Sequence, residues 1–65
     1  MATGKVQQWD EAQGEGKIKE DQAGAQLEFS SQDLAQPTDR MTLRRGDKVQ
    51  FRVDEPGHAA DIEKA

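Results

Sequence analysis

Apolar and polar residues alternate in five short stretches of the chain, and no stretch sustains the three- and four-residue spacing of an amphipathic helix. The pattern predicts β-strands. The first, residues 5–10, turns Val6 to one side and Lys5, Gln7 and Trp9 to the other, with Gln8 back on the side of Val6 unless a bulge intervenes. The second, 14–19, sets Gly16 and Ile18 against an outward row of Glu15, Lys17 and Lys19. Glu20, Asp21, Gln22, Ala23 and Gly24 have turn composition and lead into a third strand, 25–29, where Ala25, Leu27 and Phe29 alternate with Gln26 and Glu28. If Ile18 and Leu27 share the buried face of this hairpin, Lys17 and Glu28 are cross-strand neighbours, an exposed pair worth about 0.2–1 kcal/mol.

Residues 30–45 read as a long connection with a helical turn near 31–35, pinned to the core by Leu34 and Leu43. Gly46 and Asp47 place a turn before the cleanest alternation, 49–53, which predicts Val49, Phe51 and Val53 inside and Gln50 and Arg52 in solvent. Pro56 and Gly57 mark another turn, and 59–63 forms a last short strand with Ile62 inward. Three strands, a long connection and two more strands is the order of an OB-fold, so the expected class is all-β: a five-stranded antiparallel Greek-key barrel occupying residues 1–65 as one domain.

Composition narrows the functional classes. At 65 residues the chain has room for one small core, and with 32% hydrophobic against 34% charged residues the patterning has to carry the fold. It has no cysteine, so neither disulfides nor thiolate chemistry is available, which fits the reducing cytoplasm as the expected location. No apolar run approaches the roughly 20 residues of a membrane span, and residues 1–5 lead into the first strand without an apolar signal core, so no membrane partner is expected.

Little in the chain suggests catalysis. His58 is the one histidine, set in the Pro56–Gly57 turn with no second histidine or cysteine to complete a zinc site, and it reads as a surface residue. Adjacent acids such as Asp10 and Glu11, Glu20 and Asp21, or Asp54 and Glu55 fall at strand ends, where they solubilise turns. Gly14 and Gly16 lack the Lys-Ser/Thr that follows a phosphate-binding loop, and strand twist or close backbone approach accounts for them better. The expectation is therefore no enzyme, no cofactor, no metal and no small-molecule substrate.

The glycine framework Gln13-Gly14-Glu15-Gly16-Lys17-Ile18, with Gly4-Lys5-Val6-Gln7-Gln8-Trp9 before it and Leu27-Glu28-Phe29-Ser30 after it, resembles a bacterial cold-shock domain. The similarity runs from Gly4 to Ile62 and includes Leu43 and Gly46 ahead of Val49-Gln50-Phe51, and the closing Ala59-Ala60-Asp61-Ile62. That family carries a first ribonucleoprotein motif close to Lys-Gly-Phe-Gly-Phe-Ile, and binds single-stranded RNA or DNA by stacking bases on exposed rings of its second and third strands, helped by nearby lysines. The resemblance implies the same barrel and the same class of ligand.

Residue by residue, the stacking groups have been exchanged. The motif's leading lysine is Gln13 and its two phenylalanines are Glu15 and Lys17; the first-strand Lys-Trp-Phe pattern is Gln7-Gln8-Trp9; the second motif, usually Val-Phe-Val-His-Phe, is Ala25-Gln26-Leu27-Glu28-Phe29. Trp9 and Phe29 remain as the candidate stacking rings, and they serve equally well as the edge of a small core. Stacking contributes roughly 1–3 kcal/mol per base, so exchanging four or five rings removes about 5–10 kcal/mol and leaves a tight binder at about millimolar affinity or weaker.

Thirteen acidic against nine basic residues, a net charge of -4, also oppose phosphate binding, although Arg40, Arg44, Arg45, Lys48 and Arg52 gather in the second half. Two functional expectations follow. One is weak, salt-sensitive contact with single-stranded RNA or DNA through Lys5, Trp9, Lys17, Phe29 and Arg52, with Lys19 nearby. The other is a barrel turned into a protein-interaction or regulatory module whose charged face meets a basic protein partner. Exchange of exposed rings for charge is equally what an engineered soluble scaffold would carry.

Overall fold

The computed structural model describes residues 2–65; residue 1 lies outside it. Five strands are formed: β1 (Ala2–Asp10), β2 (Glu15–Glu20), β3 (Gln26–Ser30), β4 (Lys48–Glu55) and β5 (His58–Lys64). They close into a barrel in the order β1-β2-β3-β5-β4, an all-β, OB-like architecture. Four seams are antiparallel, as expected. The fifth, between β3 and β5, is parallel, because the chain crosses the barrel end between them instead of turning back beside β3.

The crossing is residues 31–47. It opens with a 3-10 turn, Ser31–Asp33, where the Asp33 carboxylate accepts the Ser30 N–H at 2.9 Å, and it contains a single helical turn, α1 (Asp39–Thr42), that the sequence pattern does not announce. Leu34 and Leu43 sink into the core on either side of α1, as the pattern predicts, and Leu34 bridges to Ile62. Its far end is stitched to β1, with the Val6 N–H donating to the Asp47 carbonyl and the Gly46 N–H to the Val6 carbonyl.

Register shifts in two strand pairs move side chains from where simple alternation places them. In β1 the register passes from Val6 opposite Ile18 directly to Gln8 opposite Lys17, leaving Gln7 as the extra residue. Parity therefore flips. Gln8 faces outward beside Lys17, and Trp9 comes to the inner side opposite Gly16, the reverse of the expectation for both. In the β4–β5 hairpin, register shifts fall between Gln50 and Arg52 and between Val53 and Glu55. The hairpin twists away from the barrel after Phe51, so Val53, expected inside, is 44% exposed. Asp61, at φ 51°, takes up the left-handed turn on the β5 side of the first shift, a conformation that aspartate tolerates better than most residues.

Val6, Ile18, Leu27, Phe29, Leu34, Leu43, Val49, Phe51, Ala59 and Ile62 make one core, with Ala2 and Trp9 packed against its edge. Phe51 is the largest side chain fully enclosed. Removing its ring in Phe51→Ala should cost about 3–5 kcal/mol, a large part of the roughly 5–15 kcal/mol that a domain of this kind has. Urea unfolding followed by circular dichroism checks this; a loss below about 1 kcal/mol would mean that the core is not organised around that ring.

Candidate charged groove over strands two and three

Gly16 sits opposite Trp9 on β1 and opposite Phe29 on β3. With no side chain between them, the two rings meet over the glycine, centroids 5.3 Å apart and planes within 4° of parallel. A Cβ at Gly16 would stand 2.6 Å from Cζ of Phe29 and 2.7 Å from the Gln8 carbonyl oxygen, so only glycine fits. Phe29 is 4% exposed and belongs to the core. Trp9 is half-buried, and its indole N–H donates to the Arg40 carbonyl of α1 at 3.1 Å, while the Arg40 guanidinium donates to the Glu11 carbonyl at 3.2 Å. Both rings that the sequence offers as stacking groups thus pack on each other and tie the crossing segment to the β1–β2 turn.

Above them runs a groove of about 360 Å³ whose charged lining is Asp10, Glu15, Lys17, Glu28 and His58. The sheet register explains who stands beside whom. Gln8, Lys17, Glu28 and His58 form one transverse row across β1, β2, β3 and β5, and Asp10, Glu15 and Ser30 form the next. Lys17 is directly opposite Glu28; hairpin parity predicts the two as neighbours and leaves Gln26 as the other candidate for the opposite position. Three carboxylates surround one lysine, so the local field favours cations, and a phosphate entering here would meet net repulsion.

The remaining candidate cations lie elsewhere. Arg52 is on β4, its Nε and one terminal nitrogen each 2.8 Å from the same oxygen of Asp61, an exposed pair. Lys5 lies in register with Lys19 on one side and Lys48 on the other, so three lysines stand abreast on the outside of β2, β1 and β4. Like charges directly opposite one another repel across adjacent strands. Lys48 has Asp21 at 3.7 Å, whereas Lys5 and Lys19 have no carboxylate within 4.0 Å among the described residues. Sequence reading singles out Lys5 and Lys19 separately; the part of Lys48 depends on the β1–β4 register, which no local pattern encodes.

His58 is the second residue whose surroundings the sequence conceals. It is half-buried, with Nδ1 2.6 Å from Asp54 and Nε2 2.9 Å from Asp33. The hydrogen bond with Asp54, followed by that with Asp33, pushes the imidazole above its ordinary pKa, and the contact with His58 lowers that of Asp54. Asp54, Glu55 and His58 also offer ligand atoms within 4.8 Å of one another, but they are a surface turn whose histidine nitrogens already face carboxylates. No protein-family model and no curated protein matches this chain.

The dependence of the aromatic stack on Gly16 is directly testable. Gly16→Ala has to displace either the Phe29 ring or the β1 backbone, and should cost about 1–3 kcal/mol while shifting the emission of Trp9 to the red as its ring loses cover. Fluorescence-monitored urea unfolding reads both quantities, and an unchanged spectrum with unchanged stability would contradict the packing described.

Proposed function

We propose that this chain is a small barrel of cold-shock type in which base stacking has been given up, and that it works as a protein-interaction module whose β2–β3 groove receives a basic segment of a partner. The observation that carries the reading is the groove itself: carboxylates of Asp10, Glu15 and Glu28 line its walls, and Phe29, which could have offered a face to a base, lies beneath it in the core. Arginine and lysine side chains fit that lining by charge, and the arginine fork can hold a carboxylate with two parallel hydrogen bonds. The barrel is the rigid frame; the outward residues of β2 and β3 set what it accepts.

A second reading rests on the Lys5, Lys19 and Lys48 row. These cations, with Lys17 on the same strand as Lys19, support weak phosphate contact with single-stranded RNA or DNA, without stacking and therefore strongly dependent on salt.

Two titrations at low salt, each followed by Trp9 fluorescence and by amide chemical shifts, separate the readings. An oligo-arginine peptide should shift the amides of Glu15, Lys17 and Glu28 and lose its binding in the Glu15→Lys, Glu28→Lys variant. Single-stranded oligonucleotides should bind no more tightly than about millimolar, and a Glu15→Phe, Lys17→Phe, Glu28→His variant should bind them measurably better. Micromolar oligonucleotide binding by the unaltered chain would overturn the proposal, as would a peptide that leaves the groove amides unmoved.

A further inference from the structure

The parallel seam is where the barrel closes. Its strand pairing comes down to Glu28 opposite His58, with the Glu28 N–H donating to the Gly57 carbonyl at 2.8 Å, whereas the other seams run as antiparallel ladders of several residue pairs. Gly57 belongs to the turn after Pro56 and has φ 83°, so the backbone that accepts this bond is set by a tight turn at the very start of β5. Any force that fixes the first residue of β5 also fixes the seam.

The His58 ring supplies such a force from two directions. Through Nδ1 it reaches Asp54 of β4, and through Nε2 it reaches Asp33, whose same oxygen accepts the Ser30 N–H at 2.9 Å and the Ser30 hydroxyl at 3.2 Å where β3 ends. The ring therefore joins β4 to the end of β3 across the closure. Ionised carboxylates only accept hydrogen bonds, so short contacts on both nitrogens call for a proton on each. A neutral imidazole carries one N–H. Whichever nitrogen lacks it turns a lone pair toward a carboxylate lone pair, and that contact changes from attraction to repulsion.

We propose that His58 is a proton-operated latch on the β3–β5 seam: as the imidazolium it clamps the start of β5 to both Asp54 and Asp33, and on losing its proton it releases one of them, so that the strands part more readily at Glu28. The charged groups around it are all acidic, namely Asp54 and Glu55 on β4, Asp33 in the 3-10 turn and Glu28 on β3, with Lys17 standing beyond Glu28 in the same row. The surroundings thus favour the cation, in keeping with the raised pKa of the ring. With 31% of the side chain exposed, the proton exchanges freely with solvent and the interaction is screened by salt.

The direction with pH follows from linkage. A folded-state pKa above the unfolded value near 6.5 gives stability that is complete below about pH 6.5 and is lost as pH rises through the folded value. Asp54, lowered in the fold, sets the acid limb: its contribution is present above about pH 4 and is lost as pH falls through its folded value. The latch is tightest between these limits and opens on the alkaline side.

The test uses the whole chain and two local readouts, the His58 ring titration by nuclear magnetic resonance and the hydrogen-exchange protection of the Glu28 amide, corrected for the intrinsic pH dependence of exchange. The Val6 amide, bonded to the Asp47 carbonyl on the opposite side of the barrel, serves as the reference. The ring should titrate above an ordinary histidine, and Glu28 protection should fall through that titration while Val6 protection holds. In His58→Gln the Glu28 protection should no longer depend on pH. Asp33→Asn keeps an acceptor for Ser30 but removes the charge, so it should lower the ring titration even if His58→Gln does not fold. A ring that titrates at or below its ordinary value, or Glu28 protection that follows Val6 across the range, would falsify the latch.

Discussion

One absent side chain organises the β1–β2–β3 side of the barrel. Because Gly16 leaves room, Trp9 and Phe29 close over it from the neighbouring strands and form a single apolar layer linking β1, β2 and β3. The indole N–H then holds α1 through the Arg40 carbonyl, and Arg40 holds the β1–β2 turn through Glu11. Strand, turn and crossing segment are fixed by the same contact. An aromatic pair adds about 0.5–1.5 kcal/mol beyond its area, a sizeable share for a domain this small.

That packing explains why the groove above the rings is governed by charge. With the rings stacked on each other against the fold, the outward positions of β2 and β3 are left to Glu15, Lys17 and Glu28, and Asp10 and His58 complete the border from β1 and β5. The protein divides its charge spatially: carboxylates over β2 and β3, lysines abreast on β2, β1 and β4. A net charge of -4 conceals this division, since it averages two surfaces of opposite sign.

Much of the fold is legible in the sequence, because period-two alternation in strands such as 49–51 and the glycine framework around Gly16 are local signals. Strand number, the proximity of Lys17 and Glu28 and the anchoring of Leu34 and Leu43 all follow from them. What escapes is non-local or unmarked. Gln7 and Gln8 are both polar, so nothing in their chemistry shows that a bulge falls between Val6 and Trp9, yet its presence decides whether Trp9 lies outside or against Phe29. Val53 keeps the alternation after the hairpin has left the core. His58 looks like a turn residue until the parallel seam brings Asp33, 25 positions away, to its second nitrogen.

Closure of the cylinder has a consequence for the surface. Since each strand has a neighbour on both sides, even though the β3–β5 seam comes down to one residue pair, the outer surface is presented mainly by protruding side chains. Those groups alternate with the ones that fill the interior, so they can be exchanged without disturbing the frame. The charge pattern of the exterior is thereby uncoupled from the packing of the scaffold underneath.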